Sequence, residues 1–83
     1  MDFFTYILVN GFKNKTYTGH TRDVNRRLKE HNKRNSVFSR KYRPWDLLYE
    51  EKFNNLIDAI KREKYLKSAA GRRWIRKKLF ICE

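Results

Sequence analysis

A single cysteine, Cys82, leaves the 83-residue sequence unable to close a disulfide on itself. That excludes a secreted disulfide-stapled scaffold and fits a reducing compartment. No apolar run approaches the ~20 residues needed to span a bilayer as a helix. The opening residues, Met1-Asp2-Phe3-Phe4-Thr5-Tyr6, carry neither a basic segment nor a signal-peptide cleavage pattern. A soluble, cytoplasmic protein is therefore expected. No internal repeat, low-complexity tract or linker interrupts the chain, and 83 residues leave room for one domain, spanning 1–83. Acidic residues are also scarce. Nine of them face 21 lysines and arginines, for a net charge of +12 and a pI near 10.2.

Such an imbalance attracts polyanions, and nucleic acid is the favoured partner. A membrane surface is disfavoured, because no segment pairs a broad, bulky apolar face with an opposing basic one. The abundant aromatics, 16% of residues, give a small core more buried area per ordered side chain.

Phe3 to Asn10 is apolar on both faces, which predicts a central strand covered from both sides. Asn10-Gly11 is a turn signal, and Lys15–His20 reads as a second strand paired in a hairpin with the first. Gly19 within it marks a close backbone approach or a bulge. Thr21 or Asp23 can cap a helix running to about Asn32. A polar, basic loop follows to Arg43, closed by Pro44. Trp45–Phe53 reads as a third strand with Leu47, Tyr49 and Glu51 on one face. Asn54 or Asn55 caps a second helix to about Ala70, Gly71 suits its C′ position, and Arg72–Phe80 forms a terminal helix. The order β-β-α-β-α-α describes a small α/β fold of the α+β kind, a three-stranded, mainly antiparallel sheet flanked by helices.

Two helical stripes carry polar residues where packing calls for apolar ones. In the first helix the i, i+3, i+4, i+7 positions are Val24, Arg27, Leu28 and His31. In the second they are Leu56, Ala59, Ile60 and Glu63, with Leu66 and Lys67 beyond. Arg27 and His31 stand one turn apart and can reach the same spot. An inward carboxylate at Glu63 is costly unless paired or bound to a cation. Two structural pairings would satisfy it: a half-buried pair with Arg27, or an outward i,i+4 pair with Lys67. For Tyr6 and Tyr17 the corresponding structural reading is ordinary sheet packing. Packing or simple exposure is the preferred reading of His20, Tyr42, Tyr49 and Tyr65. Trp45 and Trp74 read as core or rim anchors.

Taken in order, the segments Phe4-Thr5-Tyr6-Ile7-Leu8, Tyr17-Thr18-Gly19-His20-Thr21, Arg26-Arg27-Leu28-Lys29-Glu30-His31-Asn32 and Ala59-Ile60-Lys61-Arg62-Glu63-Lys64 resemble the GIY-YIG nuclease superfamily. The likeness is to its short stand-alone bacterial members and to the N-terminal nuclease domain of the excision-repair endonuclease. Three positions depart from the pattern: the first motif lacks its leading glycine, Thr18 stands in the middle of the second, and no asparagine follows Gly71. The resemblance implies that Tyr6, Tyr17, Arg27, His31 and Glu63 form a catalytic site, with Gly19 ending the second motif. Arg27 would bind phosphate and Glu63 a metal. With one acidic ligand, a single Mg²⁺ (or Mn²⁺) is the implied cofactor. The general base is Tyr17 or His31, and the residues leave both open. DNA is the implied substrate, cleaved in repair or recombination. The alternative is a nucleic-acid-binding module of the same fold without catalysis. Lys33, Arg34, Arg40, Lys41 and Arg43 are the expected backbone contacts, and a second basic cluster spans Arg72, Arg73, Arg76, Lys77 and Lys78.

Overall fold

The computed structural model describes residues 2–11, 15–33 and 44–79. Arg34, Arg40, Lys41, Tyr42, Arg43, Phe80 and Cys82 lie outside them.

The elements run β1 (Phe3–Asn10), β2 (Thr16–Thr21), α1 (Val24–His31), β3 (Trp45–Phe53), α2 (Leu56–Lys67) and α3 (Ala69–Lys78). The sheet is antiparallel in the order β2-β1-β3, an α+β arrangement with the expected chain order. β1 is central because its side chains are apolar on both faces and only a middle strand can bury both. On one face Tyr6 and Leu8 pack with Val24 and Trp45, joined by Phe4, Tyr17 and Leu28. On the other, Ile7 packs with Leu66 and Ile75, joined by Leu48, Tyr49 and Trp74. α1 therefore covers one face, and the α2–α3 pair covers the other.

Short polar side chains lock these layers together. Asp23 caps α1 by accepting from Arg26 N at 3.1 Å, and Asn55 caps α2 by accepting from Asp58 N at 2.9 Å. Asn32, just past α1, grips the start of β3: its Nδ2 donates to Trp45 O at 3.0 Å, and Trp45 N donates to its Oδ1 at 2.6 Å. The buried Thr5 hydroxyl donates to Ala59 O at 2.7 Å, tying β1 to α2. Trp45 is thus a core anchor. Trp74 is half-buried against Tyr49, with Arg62 over its ring.

The structure corrects four expectations. β2 runs one residue later than expected, from Thr16 to Thr21. Leu56 is 42% exposed, so the α2 stripe begins in effect at Ala59. In β3 the register shifts between Ile7 and Leu8, so that Ile7 faces Tyr49 while Leu8 faces Leu47. Leu48 is the extra residue and packs beside Tyr49 against the Ile7 cluster, while Leu47 is left exposed. Tyr49 and Glu51 do share a side, with the Tyr49 hydroxyl donating to Glu51 at 2.6 Å.

The fourth correction concerns Gly71. It lies inside α3 and does not end α2; the break falls at Ser68, whose hydroxyl caps α3 by accepting from Gly71 N at 3.2 Å. A Cβ on Gly71 would stand 2.0 Å from Tyr65 O and 2.4 Å from Leu66 Cα. The glycine is there because α3 folds back onto the end of α2 at backbone contact.

Candidate active site

The first two strands place Tyr6 and Tyr17 side by side on the face that α1 covers. Tyr6 pairs across the sheet with Gly19, so its ring lies over a position without a side chain. A Cβ on Gly19 would stand 2.7 Å from the Tyr6 hydroxyl and 3.2 Å from Tyr17 Cε1. The two rings are stacked with centroids 6.3 Å apart.

α1 brings its polar stripe onto the same spot. His31 is 4% exposed, and its ring centroid lies 4.3 Å from that of Tyr17. The Tyr6 hydroxyl and His31 Nε2 are 3.3 Å apart. Arg27, one turn earlier, donates from Nη1 to Glu30 Oε1 at 2.6 Å and lies near enough for its charge to act on the Tyr6 hydroxyl. Trp45 closes the cluster from behind, its ring 6.4 Å from both Tyr17 and His31. Five of the six expected site residues thus converge: Tyr6, Tyr17, Gly19, Arg27 and His31.

The electrostatics assign proton positions. Burial raises the pKa of the Tyr6 hydroxyl, and the charges of Tyr17 and Glu63 add to the rise against the opposing pull of Arg27. Tyr6 therefore keeps its proton. Burial lowers the pKa of His31, and the Arg27 charge lowers it further against the weaker attraction of Glu30. His31 is neutral around pH 7, so its Nε2 can accept from the Tyr6 hydroxyl. Burial disfavours the Arg27 charge, but hydrogen bonds to Glu30 and Tyr6 prevail and raise its pKa. The result is a fixed cation beside a protonated phenol that points at a neutral imidazole.

Glu63 projects from α2, and its carboxylate is 15% exposed. The pair with Arg27 does not form, because Arg27 already pairs with Glu30 on its own helix. The pair with Lys67 does form, Nζ to Oε2 at 2.7 Å. His20 takes the other oxygen through Nδ1. Burial pushes the Glu63 carboxyl up, but hydrogen bonds and charge from Lys67 and His20 outweigh it and hold it below its ordinary value. Glu63 is close enough to raise the Tyr6 pKa by its charge.

His20 was expected to be merely exposed or packed. Its partner lies 43 positions away in sequence, so nothing local marks it. The one available signal is strand alternation: next to Gly19 on β2, its side chain must leave by the face opposite the tyrosines. Lys33 is exposed at the end of α1. The other four loop residues expected to contact DNA fall outside the described residues. Among the described residues, no three His, Cys, Asp or Glu side chains form a cluster able to hold a metal. Any ion at Glu63 would depend on one protein carboxylate. No described helix is long and apolar enough to cross a membrane.

Two tyrosines over a strand glycine, with an arginine and a histidine from the next helix, are the arrangement that the motif order implied. The model of the GIY-YIG catalytic domain matches residues 2–78. This chain belongs to the GIY-YIG family. GIY-YIG domains are of nuclease type, and this membership carries that class with it. Relatives include the UPF0213 proteins of Staphylococcus aureus strains COL and MW2. Each is 33% identical over 61 residues, which make up 72% of this chain and 74% of the relative. The relatives are thus themselves short chains. The solution NMR structure of a UPF0213 protein from Bacillus halodurans superposes with a TM-score of 0.56 at 27% identity. That match covers 96% of this chain and 88% of the other.

Proposed function

We propose that this GIY-YIG domain is a Mg²⁺-dependent DNA endonuclease. The observation that carries the reading is the convergence of Tyr6, Tyr17, Arg27 and His31 around the gap opened by Gly19. Phosphodiester hydrolysis needs a positioned water, a proton acceptor and countercharge for the phosphoryl oxygens. Arg27 presents a permanently charged fork suited to phosphate, and swinging from Glu30 to a substrate phosphate exchanges one anion for another. Tyr6, kept protonated by burial, serves as a donor and not as the base. Tyr17 is the more exposed of the two tyrosines and would contact the attacking water. The neutral His31 imidazole, its ring centroid 4.3 Å from that of Tyr17, would take the proton.

The donor set fits a single Mg²⁺ or Mn²⁺. Mg²⁺ commonly binds through one or two carboxylates, retaining waters and taking the rest from substrate phosphates. Glu63 would hold it, exchanging the Lys67 and His20 contacts for the ion. Bound there, the ion would supply Lewis-acid charge at the phosphoryl and leaving oxygens. Lys33 and, in the following segment, Arg34, Arg40, Lys41 and Arg43 would track the DNA backbone. A role in DNA repair or recombination within the bacterial cytoplasm suits such a chain.

A second reading has one observation in its favour: both Glu63 oxygens already have cationic or imidazole partners. A domain locked in that state would bind nucleic acid without cutting it. Incubation of purified protein with branched, flapped and duplex DNA separates the two. Cleavage that requires Mg²⁺ and is lost in both Glu63→Ala and EDTA supports the endonuclease. Salt-sensitive binding without cleavage across several divalent metals supports the binding module, and cleavage surviving both treatments overturns the proposed chemistry.

A further inference from the structure

Beside the tyrosine cluster, on the far side of β2, the chain forms a concavity. Its volume is about 350 Å³, and it lies between the edge strand and the corner where α2 turns into α3. Small-ligand sites begin near this size, at ~300 Å³. Leu66 and Ile75 form an apolar floor, Thr16 and Thr18 line one wall, and the rim carries Lys67 and Arg72. Tyr17 lies on the boundary and belongs to both the pocket and the tyrosine cluster.

Three features limit what this pocket can take. Its charged groups are both cations, and among the described residues Arg72 pairs with no carboxylate. An anion is therefore the matching ligand. The floor is apolar, which suits a flat apolar moiety attached to that anion. Finally, the pocket is wired to the proposed site, since Lys67 bridges to Glu63 at 2.7 Å and Tyr17 faces His31 at 4.3 Å. A nucleotide unites an anion and a flat apolar ring in one covalent unit.

We propose that this pocket is a nucleotide subsite for a single-stranded residue flanking the cleaved phosphate. The base rests on Leu66 and Ile75 beside Tyr17, and its phosphate lies between Lys67 and Arg72. The proposal rests on the endonuclease reading for its placement, but it requires no catalysis. It also provides a physical source of structure preference. A base can enter the pocket only when it is unpaired, so flaps and branch junctions satisfy the site where intact duplex does not. Binding draws Lys67 toward the phosphate and away from Glu63, which frees a carboxylate oxygen when substrate arrives.

The test is NMR titration of the whole chain with deoxythymidine 5′-monophosphate in EDTA, so that cleavage plays no part. The expected result is saturable shifts at Thr16, Thr18, Leu66 and Ile75, with affinity reduced roughly tenfold or more by Arg72→Glu. Arg72→Gln, a milder change, should give an intermediate loss. Arg76→Glu makes the same charge change on α3 outside the pocket and should leave the shifts in place. Shifts absent, or equally weakened by Arg76→Glu, overturn the subsite even if Mg²⁺-dependent cleavage is intact. Pocket shifts abolished by Arg72→Glu sustain it even if no cleavage is ever seen. Loss of spectral dispersion in Arg72→Glu passes the decision to Arg72→Gln, where unchanged affinity overturns the proposal.

Discussion

The Tyr6 hydroxyl occupies space that a side chain at position 19 would need: 2.7 Å separates it from the place of a Gly19 Cβ. Tyr6 is 1% exposed and cannot swing aside. Gly19→Ala should therefore push the tyrosine off His31 Nε2. A stability loss of about 1–3 kcal/mol is expected from overpacking. Cleavage should fall further, by roughly tenfold to a hundredfold, because Tyr6 loses its alignment with His31. Urea unfolding together with single-turnover rates separates the two effects. A rate that falls no more than the folded fraction would show that Tyr6 is only packing.

His31 predicts a pH dependence of definite sign. Its pKa is lowered in the folded state by burial and then by Arg27, against the attraction of Glu30. The neutral imidazole is thus favoured by folding. Its stabilising contribution is complete above the unfolded histidine value of about 6.5 and is lost as pH falls through the lower folded value. The loss is bounded at ~1.4 kcal/mol per pH unit for one proton. Urea midpoints measured between pH 7.5 and 5 should decline in the native chain and decline less in His31→Gln. Glu63, also lowered, loses its stabilisation at more acidic pH, from the ordinary carboxyl value down through its lower folded one. Identical pH profiles for the two proteins would contradict this assignment.

At Gly71 the last two helices meet with no room for a side chain. A Cβ there meets backbone atoms at 2.0 and 2.4 Å, and backbone cannot yield as a side-chain tip can. Gly71→Ala should cost at the upper end of about 1–3 kcal/mol, despite alanine's better helix propensity. For a domain of this size the melting temperature should drop by roughly 10–20 °C. Calorimetry decides it: an unchanged or raised transition would mean that α3 does not pack on α2 at this distance.

DNA binding should respond to salt in proportion to the phosphates neutralised. With about five contacts, log K falls against log salt with a slope of roughly −4 to −5. Replacing the exposed Lys33 by Gln should make that slope shallower by about one. Fluorescence anisotropy from low to physiological salt measures both, and a flat native curve would remove DNA from the account.

Local chemistry made much of this legible. β1 had to be central because its apolar residues alternate onto two faces, and Tyr6 with Leu8 and Ile7 meets that demand. Asp23 and Asn55 cap helices through bonds to residues three positions on, and Lys67 finds Glu63 one turn away. Arg27 and His31 share a face because four residues come to slightly more than one helical turn. Interactions that close within a few residues are written in spacing alone.

Other features depend on which segments meet. Gly71 has the composition of a helix stop, yet it serves a helix–helix contact that only the packing of α3 on α2 creates. Leu48 is an ordinary strand residue until pairing with β1 makes it the extra one. The two oxygens of Glu63 show the division most directly. One goes to Lys67, four residues on, as helical spacing dictates. The other goes to His20, brought from 43 positions away by the stacking of α2 on the sheet. Sequence determined the order of the elements, narrowed each of the first two caps to a pair of candidates and marked the polar stripes, because those follow from backbone periodicity and short-range hydrogen bonds. Tertiary structure decided the partners of Glu63, the role of Gly71 and the pocket beside β2, because each depends on distances between elements that no local period encodes.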